Sequence, residues 1–120
     1  MSKKILIAED EKPLAKALKL KLTKEGYEAD IAGNGVEAVE MATKNKYNLM
    51  LLDLMMPKKD GFEVLEDLKK AGVKTKILVT SNLSQEEDIK KAKSLGASDF
   101  FIKSDTSIIE IVKIVQKNLP

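Results

Sequence analysis

The chain has 120 residues, 43% hydrophobic and 33% charged, which suits one globular domain able to bury a core without disulfides or structural metals. A formal charge of +2 is too near neutral to imply a nucleic-acid or membrane partner, and the absence of cysteine excludes thiol chemistry and thiolate metal sites. The apolar stretch behind the basic opening stops at Ala8, too short for a signal-peptide core, and no run approaches the roughly 20 residues that span a bilayer. A cytoplasmic protein without membrane insertion is therefore expected.

Short apolar runs alternate with helical patterns along the whole chain. The first run, Lys4 to Ala8, reads as a buried strand and is followed by Leu14, Leu18 and Leu22 at helical spacing. Pro13 suits the first turn of that helix, where its missing N–H has no partner to lose, and Gly26 stops it. A second strand is expected over Glu28 to Ala32. Gly33 and Gly35 read as turn residues, and Asn34 with Glu37 as a capping box opening the second helix. Tyr47 to Asp53 gives the third strand, with Gly61 opening the third helix and Gly72 closing it. Lys76 to Thr80 is the fourth strand, followed by a helix between a Ser84–Glu87 capping box and Gly96. Asp99 to Ile102 is the fifth, and a Ser107–Glu110 box opens the last helix. That helix carries Ile108, Ile111, Val112, Val115 and Leu119 on one stripe, widened by Ile109 and Ile114, so either a broad buried face or an interface would explain it.

This alternation predicts a doubly wound α/β domain over residues 1–120, with five helices around a five-stranded parallel sheet. Right-handed crossovers leave few arrangements, of which the flavodoxin-like order 2-1-3-4-5 is the common short one. Strands 1 and 3 are then neighbours, and Glu9, Asp10 and Asp53 meet at their carboxyl ends, where such sheets open a ligand crevice. Two carboxylates about 4 Å apart at an effective dielectric of 20 repel by roughly 4 kcal/mol, so the trio needs a cation or a proton. A divalent metal is the simplest relief. Asp10 is also expected to cap the first helix.

Glu9 and Asp10 after strand 1, Asp53 with Met56, Pro57 and Gly61 after strand 3, Thr80 ending strand 4 and Lys103 after strand 5 form a dispersed set of motifs. On these residues the chain resembles, over essentially its whole length, the receiver domain of bacterial two-component response regulators. The resemblance implies that Asp53 is the phosphoryl acceptor. It implies that Asp10 binds the metal directly, Glu9 binds it through a water, and Asp53 and the Met55 backbone carbonyl complete the protein ligands. Hard oxygen donors suit Mg2+, with Mn2+ as a substitute. Thr80 and Lys103 would each serve one phosphoryl oxygen. Phe100, three residues before the lysine, takes the place of the family's switching aromatic; without a hydroxyl it would act by packing alone.

The chain contains no histidine, so a phosphohistidine donor must come from a histidine kinase or phosphotransfer protein. It also lacks nucleotide-binding glycine fingerprints. The reading is a stand-alone switch with self-catalysed phosphorylation and dephosphorylation, more than a metabolic enzyme. Its output would pass through the fourth helix, fifth strand and fifth helix to an unknown output protein, from a monomer or a phosphorylation-promoted homodimer. One rival is a magnesium phosphatase with an aspartyl nucleophile, but such enzymes carry a second acid two residues on, where this chain has Met55. The other is a receiver-like scaffold that takes up no phosphate. Ser104 follows Lys103 where the family usually has proline, so a trans bond is expected there, with Ser104 and Asp105 free to bond nearby amides.

Overall fold

A computed structural model describes residues 2–83 and 85–120. Among them the chain runs β1 (Lys4–Ala8), α1 (Lys12–Lys24), β2 (Glu28–Ala32), α2 (Gly35–Lys44), β3 (Leu49–Leu52), α3 (Gly61–Lys70), β4 (Lys76–Ser81), α4 (Glu86–Ser94), β5 (Asp99–Ile102) and α5 (Ile108–Asn118), with one 3-10 turn, Lys103–Asp105. Every strand pairing is parallel and the order is β2-β1-β3-β4-β5, the arrangement the sequence predicts.

The central strands β1, β3 and β4 are buried on both faces, which is why they read as apolar runs, whereas the edge strands β2 and β5 are only partly buried. Successive residues alternate between two cores. Ile5, Ile7, Leu49, Leu51 and Leu78 pack with Ala15, Leu18 and Leu22 of α1 and Ile111, Val112 and Val115 of α5. Leu6, Ala8, Met50, Leu52 and Val79 pack with Ala38 and Ala42 of α2, Val64, Leu65 and Leu68 of α3 and Ala92 of α4. The broad apolar stripe of α5 is thus partly explained by burial, while Ile109 is 59% exposed.

Several local expectations need correction. The third strand is shorter than Tyr47 to Asp53. At its start the Tyr47 carbonyl accepts the Thr75 hydroxyl at 3.2 Å, and at its end the Asp53 side chain turns to cap its own loop. The fourth strand runs one residue further, to Ser81. Gly35 is the first residue of α2, not a turn residue. A Cβ there would overlap the Lys59 carbonyl, so the close approach of two chain segments requires glycine. Asn34 Oδ1 accepts the Glu37 N–H at 2.9 Å, but Glu37 reaches back to the Gly33 N–H at 3.2 Å, one residue early. The Ser107–Glu110 box closes as expected, while Ser84 lies outside the described residues. The stops at Gly26, Gly72 and Gly96 all fall in the left-handed region, two residues past a helix.

A capping box between Asp60 and Glu63 opens α3. Gly61 follows that cap because an ideal Cβ would lie 2.6 Å from both the Asp53 carbonyl oxygen and Leu54 Cα. Its N–H donates to the Leu54 carbonyl at 2.9 Å, tying the helix to the end of β3. Gly61→Ala is expected to destabilise the protein by about 1–3 kcal/mol through overpacking, read as a lowered urea midpoint at unchanged slope.

Candidate functional site

The register continues past the strands. Ala8 pairs with Leu52 and Leu52 with Val79, so the next step sets Glu9, Asp53 and Thr80 across adjacent strand ends. The Glu9 N–H donates to the Ala32 carbonyl and the Asp53 N–H to the Ala8 carbonyl, each at 3.0 Å. Lys103 follows Ile102, whose partner is Ser81. These ends enclose a cleft of about 270 Å³ lined by Asp10, Glu11, Asp53, Met55, Asn82 and Lys103.

Carboxylate oxygens of Glu9, Asp10 and Asp53 lie within 4.8 Å of one another. Glu9 and Asp53 are each only 3% exposed, whereas Asp10 is exposed. Thr80 is buried near the end of β4, and the Met55 side chain is 56% exposed at the cleft mouth. The Met55 N–H donates to Asp53 Oδ1 at 3.1 Å. Phe100 is half-buried against the α2–α4 core and Phe101 against the opposite one, so neither aromatic is purely core.

The repulsion among the acids is relieved in part from within. Lys103 Nζ donates to Asp53 Oδ2 at 3.0 Å and lies 2.7 Å from Glu9 Oε1 and 3.6 Å from Glu11 Oε2. Burial alone would lower this ammonium's pKa, but its bonds to Glu9 and Asp53 outweigh burial and hold it at about 12. Burial raises the Glu9 carboxyl above its ordinary 4.5, only partly offset by Lys103 and the Glu11 N–H.

Glu9 Oε2 accepts the Glu11 N–H at 3.1 Å. This corrects the expectation that Asp10 caps the first helix: Glu11 is its N-cap, without a side-chain cap bond, and Asp10 is left facing solvent. The reason is direction, since Glu9 points inward beside Asp53 and reaches the helix start on the way. Three converging carboxylates, one exposed at the cleft, are a hard-oxygen donor set that fits Mg2+ or Mn2+.

The chain matches the family model for the response regulator receiver domain over residues 5–116. The chain belongs to that family. The receiver is 37% identical over 100 residues to the transcriptional regulatory protein DltR of Streptococcus agalactiae, a match covering 83% of this chain and 45% of DltR. It is 36% identical over 100 residues to PcoR of Escherichia coli, covering 83% of this chain and 44% of PcoR. The receiver therefore spans less than half the length of these curated relatives. Among solved structures, the receiver domain of Francisella response regulator 1452 superposes with a TM-score of 0.90 at 30% identity, covering 98% of this chain and 96% of that one. A CheY-like receiver domain protein from Methanospirillum hungatei superposes at 0.92 with 25% identity, covering 99% and 94%. The receiver is thus a signalling domain of two-component systems.

In this receiver the Lys103–Ser104 bond is trans, as expected without proline; no cis peptide occurs among the described residues. The loop partners differ from the expectation. Ser104 donates its own N–H to Asn82 Oδ1 at 3.0 Å, and the Thr106 hydroxyl donates to the Ile102 carbonyl at 2.9 Å. Asn82 thereby ties the lysine loop to the end of β4. Glu11 was not anticipated in the site; the signal was its place as third acid in the run Glu9–Asp10–Glu11.

Removing Lys103 leaves two buried carboxylates facing each other. Lys103→Met is expected to cost about 3 kcal/mol or more in metal-free buffer at pH 7. Because Glu9's folded pKa lies above 4.5, its contribution to stability is fully present below that value and is lost as pH rises through the folded one. Lys103 lowers that pKa in the wild type, so its removal raises it further and the variant gains more than the wild type when Glu9 is protonated; its deficit should shrink at pH 5, and added Mg2+ should reduce it at pH 7. Urea titrations at both pH values check this, and an equal deficit at the two would contradict the assignment.

Proposed function

We propose that Asp53 accepts a phosphoryl group from the phosphohistidine of a histidine kinase or phosphotransfer protein. The observation that carries this reading is a buried carboxylate, Asp53, held between a lysine and two further acids at the crevice of a receiver fold. A carboxylate oxygen of Asp53 attacks phosphorus, the P–N bond to the donor imidazole breaks, and its electron pair returns to that nitrogen. An acyl phosphate results, reactive enough to be reversible. Lys103, already directed at Asp53, follows the charge onto one phosphoryl oxygen, and the Thr80 hydroxyl donates to another.

Asp10 and Asp53, the Met55 carbonyl, and Glu9 through a water would hold Mg2+, with Mn2+ able to replace it. When bound, the ion offsets the charge shared between the acids and the incoming phosphate. The division of labour between the two neighbouring acids rests on their surroundings. Glu9 already spends one oxygen on Lys103 and the other on the Glu11 N–H, while Asp10 is exposed. Thr80 and half-buried Phe100 would carry the change to α4, β5 and α5, where an output protein or a second copy would dock.

Incubation with acetyl phosphate and Mg2+ followed by intact mass tests the reading. The wild-type chain should gain one phosphoryl group and Asp53→Asn none; an Asp53→Asn chain that still labels would move the acceptor elsewhere. Absence of uptake in the wild type would favour a scaffold, and rapid turnover of phosphomonoesters a phosphatase. Metal titration should show a far larger loss for Asp10→Ala than for Glu9→Ala, and equal losses would refute direct coordination by Asp10 alone.

Met55 and Asn82 line the cleft beside Asp53, so water attacking an acyl phosphate there would pass them. An apolar thioether gives that water no hydrogen bond. The phosphoryl group should therefore last longer in the wild type than in Met55→Asn, measured as decay after donor removal.

A further inference from the structure

At the pole opposite the acidic cleft, two adjoining clefts of about 360 and 630 Å³ open at the amino-terminal ends of β4 and β3. They share Val73, Lys74 and Thr75 and so form one trough. Leu65, Leu68, Val73, Ile77 and Leu95 wall the smaller lobe. Lys46, Lys69, Lys74 and Lys76 are exposed cations in the lining, and no carboxylate lines either lobe.

This charge is local. The segments at residues 44–48 and 69–76, which join α2 to β3 and α3 to β4 and include the element ends, contain Lys44, Lys46, Lys69, Lys70, Lys74 and Lys76 and no acid. Lysines ending a helix answer its dipole, but Lys46, Lys74 and Lys76 lie outside the helices. Lys76 donates to Asn118 at 3.2 Å, and no ion pair among the described residues engages Lys46, Lys69 or Lys74. The overall charge of +2 hides this local concentration of lysines around the trough.

We propose that the trough docks an acidic protein segment carrying apolar side chains. The apolar side chains would seat against Val73 and Leu95, the partly exposed members of that wall, and the carboxylates would face Lys46, Lys69 and Lys74. Charge complementarity selects an anion, and the apolar wall selects a partner that has side chains to bury. A nucleic-acid backbone fits less well. The chain has no arginine fork for phosphate, the trough's one aromatic, Tyr47, is only 6% exposed and offers no stacking face, and the apolar surface of Val73 and Leu95 would go unused.

The test uses the full chain with a short fluorescent peptide alternating Glu and Leu, an all-Glu peptide of equal length and a DNA duplex, read by anisotropy and by amide NMR shifts. The Glu/Leu peptide should bind and weaken with rising salt, with shifts centred on Val73, Thr75, Ile77 and Leu95. The double variant Lys46→Glu/Lys74→Glu, both outside the helices, should lose about tenfold or more in affinity while its thermal unfolding and acetyl phosphate uptake stay as in the wild type. Both controls test the trough apart from the phosphoacceptor reading. Equal binding of the all-Glu peptide would overturn the apolar anchor, and tighter binding of the duplex would overturn the protein partner. No binding of the Glu/Leu peptide, undiminished binding by the double variant, or shifts confined to the acidic cleft would overturn the proposal outright.

Discussion

The ammonium of Lys103 between Glu9 and Asp53 is the interaction on which the site depends. At 2.7 and 3.0 Å it bonds to two carboxylates that the fold has taken out of water. Desolvating such charges is costly unless each finds a partner, and here one cation serves both. The same bond fixes the lysine loop and leaves Asp10 exposed. It also sets the energetic condition for function, since any phosphoryl group or metal entering the cleft must rearrange an existing charge balance.

What places the lysine there is backbone register. Parallel pairing of β1 with β3, β3 with β4 and β4 with β5 brings Glu9, Asp53, Thr80 and Lys103 to one edge although they are far apart in sequence. The two-faced burial of the sheet resists slippage, because a one-residue shift would exchange the residues of its two cores. Gly61 lets α3 start against the Asp53 carbonyl, and Asn82 pins Ser104. Backbone constraints from three loops thus converge on one carboxylate.

Strand positions and their order were legible in the sequence because buried parallel strands are apolar without interruption and crossovers have one hand. The convergence of the acids followed from that order alone. Side-chain direction was not legible. Whether Glu9 or Asp10 turns inward depends on the pleat at the last residue of β1, and the same ambiguity hid the role of Glu11. The Asp60–Glu63 box was readable as an acid three residues before a glutamate, but Gly61 drew the helix start instead. Ile109 escapes the stripe that buries Ile111 and Val112, a distinction that depends on where α1 meets α5. The basic trough was invisible to net charge, because its lysines come from separate connections that only the sheet brings together.

Burial also distinguishes the element best suited to carry a signal. Among the described residues α4 buries a single side chain, Ala92, whereas α1, α3 and α5 each bury three. An element with few buried contacts opens at low free energy. Its further ties lie at the surface: Lys93 pairs with Asp99 of β5 at 4.0 Å, and the Lys91 ammonium sits 4.4 Å from the centroid of the Phe62 ring on α3, a contact worth about 0.5–1 kcal/mol at an exposed site. Phe100 packs, half-buried, against the core that contains Ala92 and Ala97, at both ends of the turn from α4 into β5. A pull on Thr80 towards new negative charge would open space one strand away from this ring, and the helix beside it is the one least anchored to resist. In the proposed switch the coupling would need no hydroxyl on the aromatic, because a packed ring and a loosely held helix would be the two parts it moves.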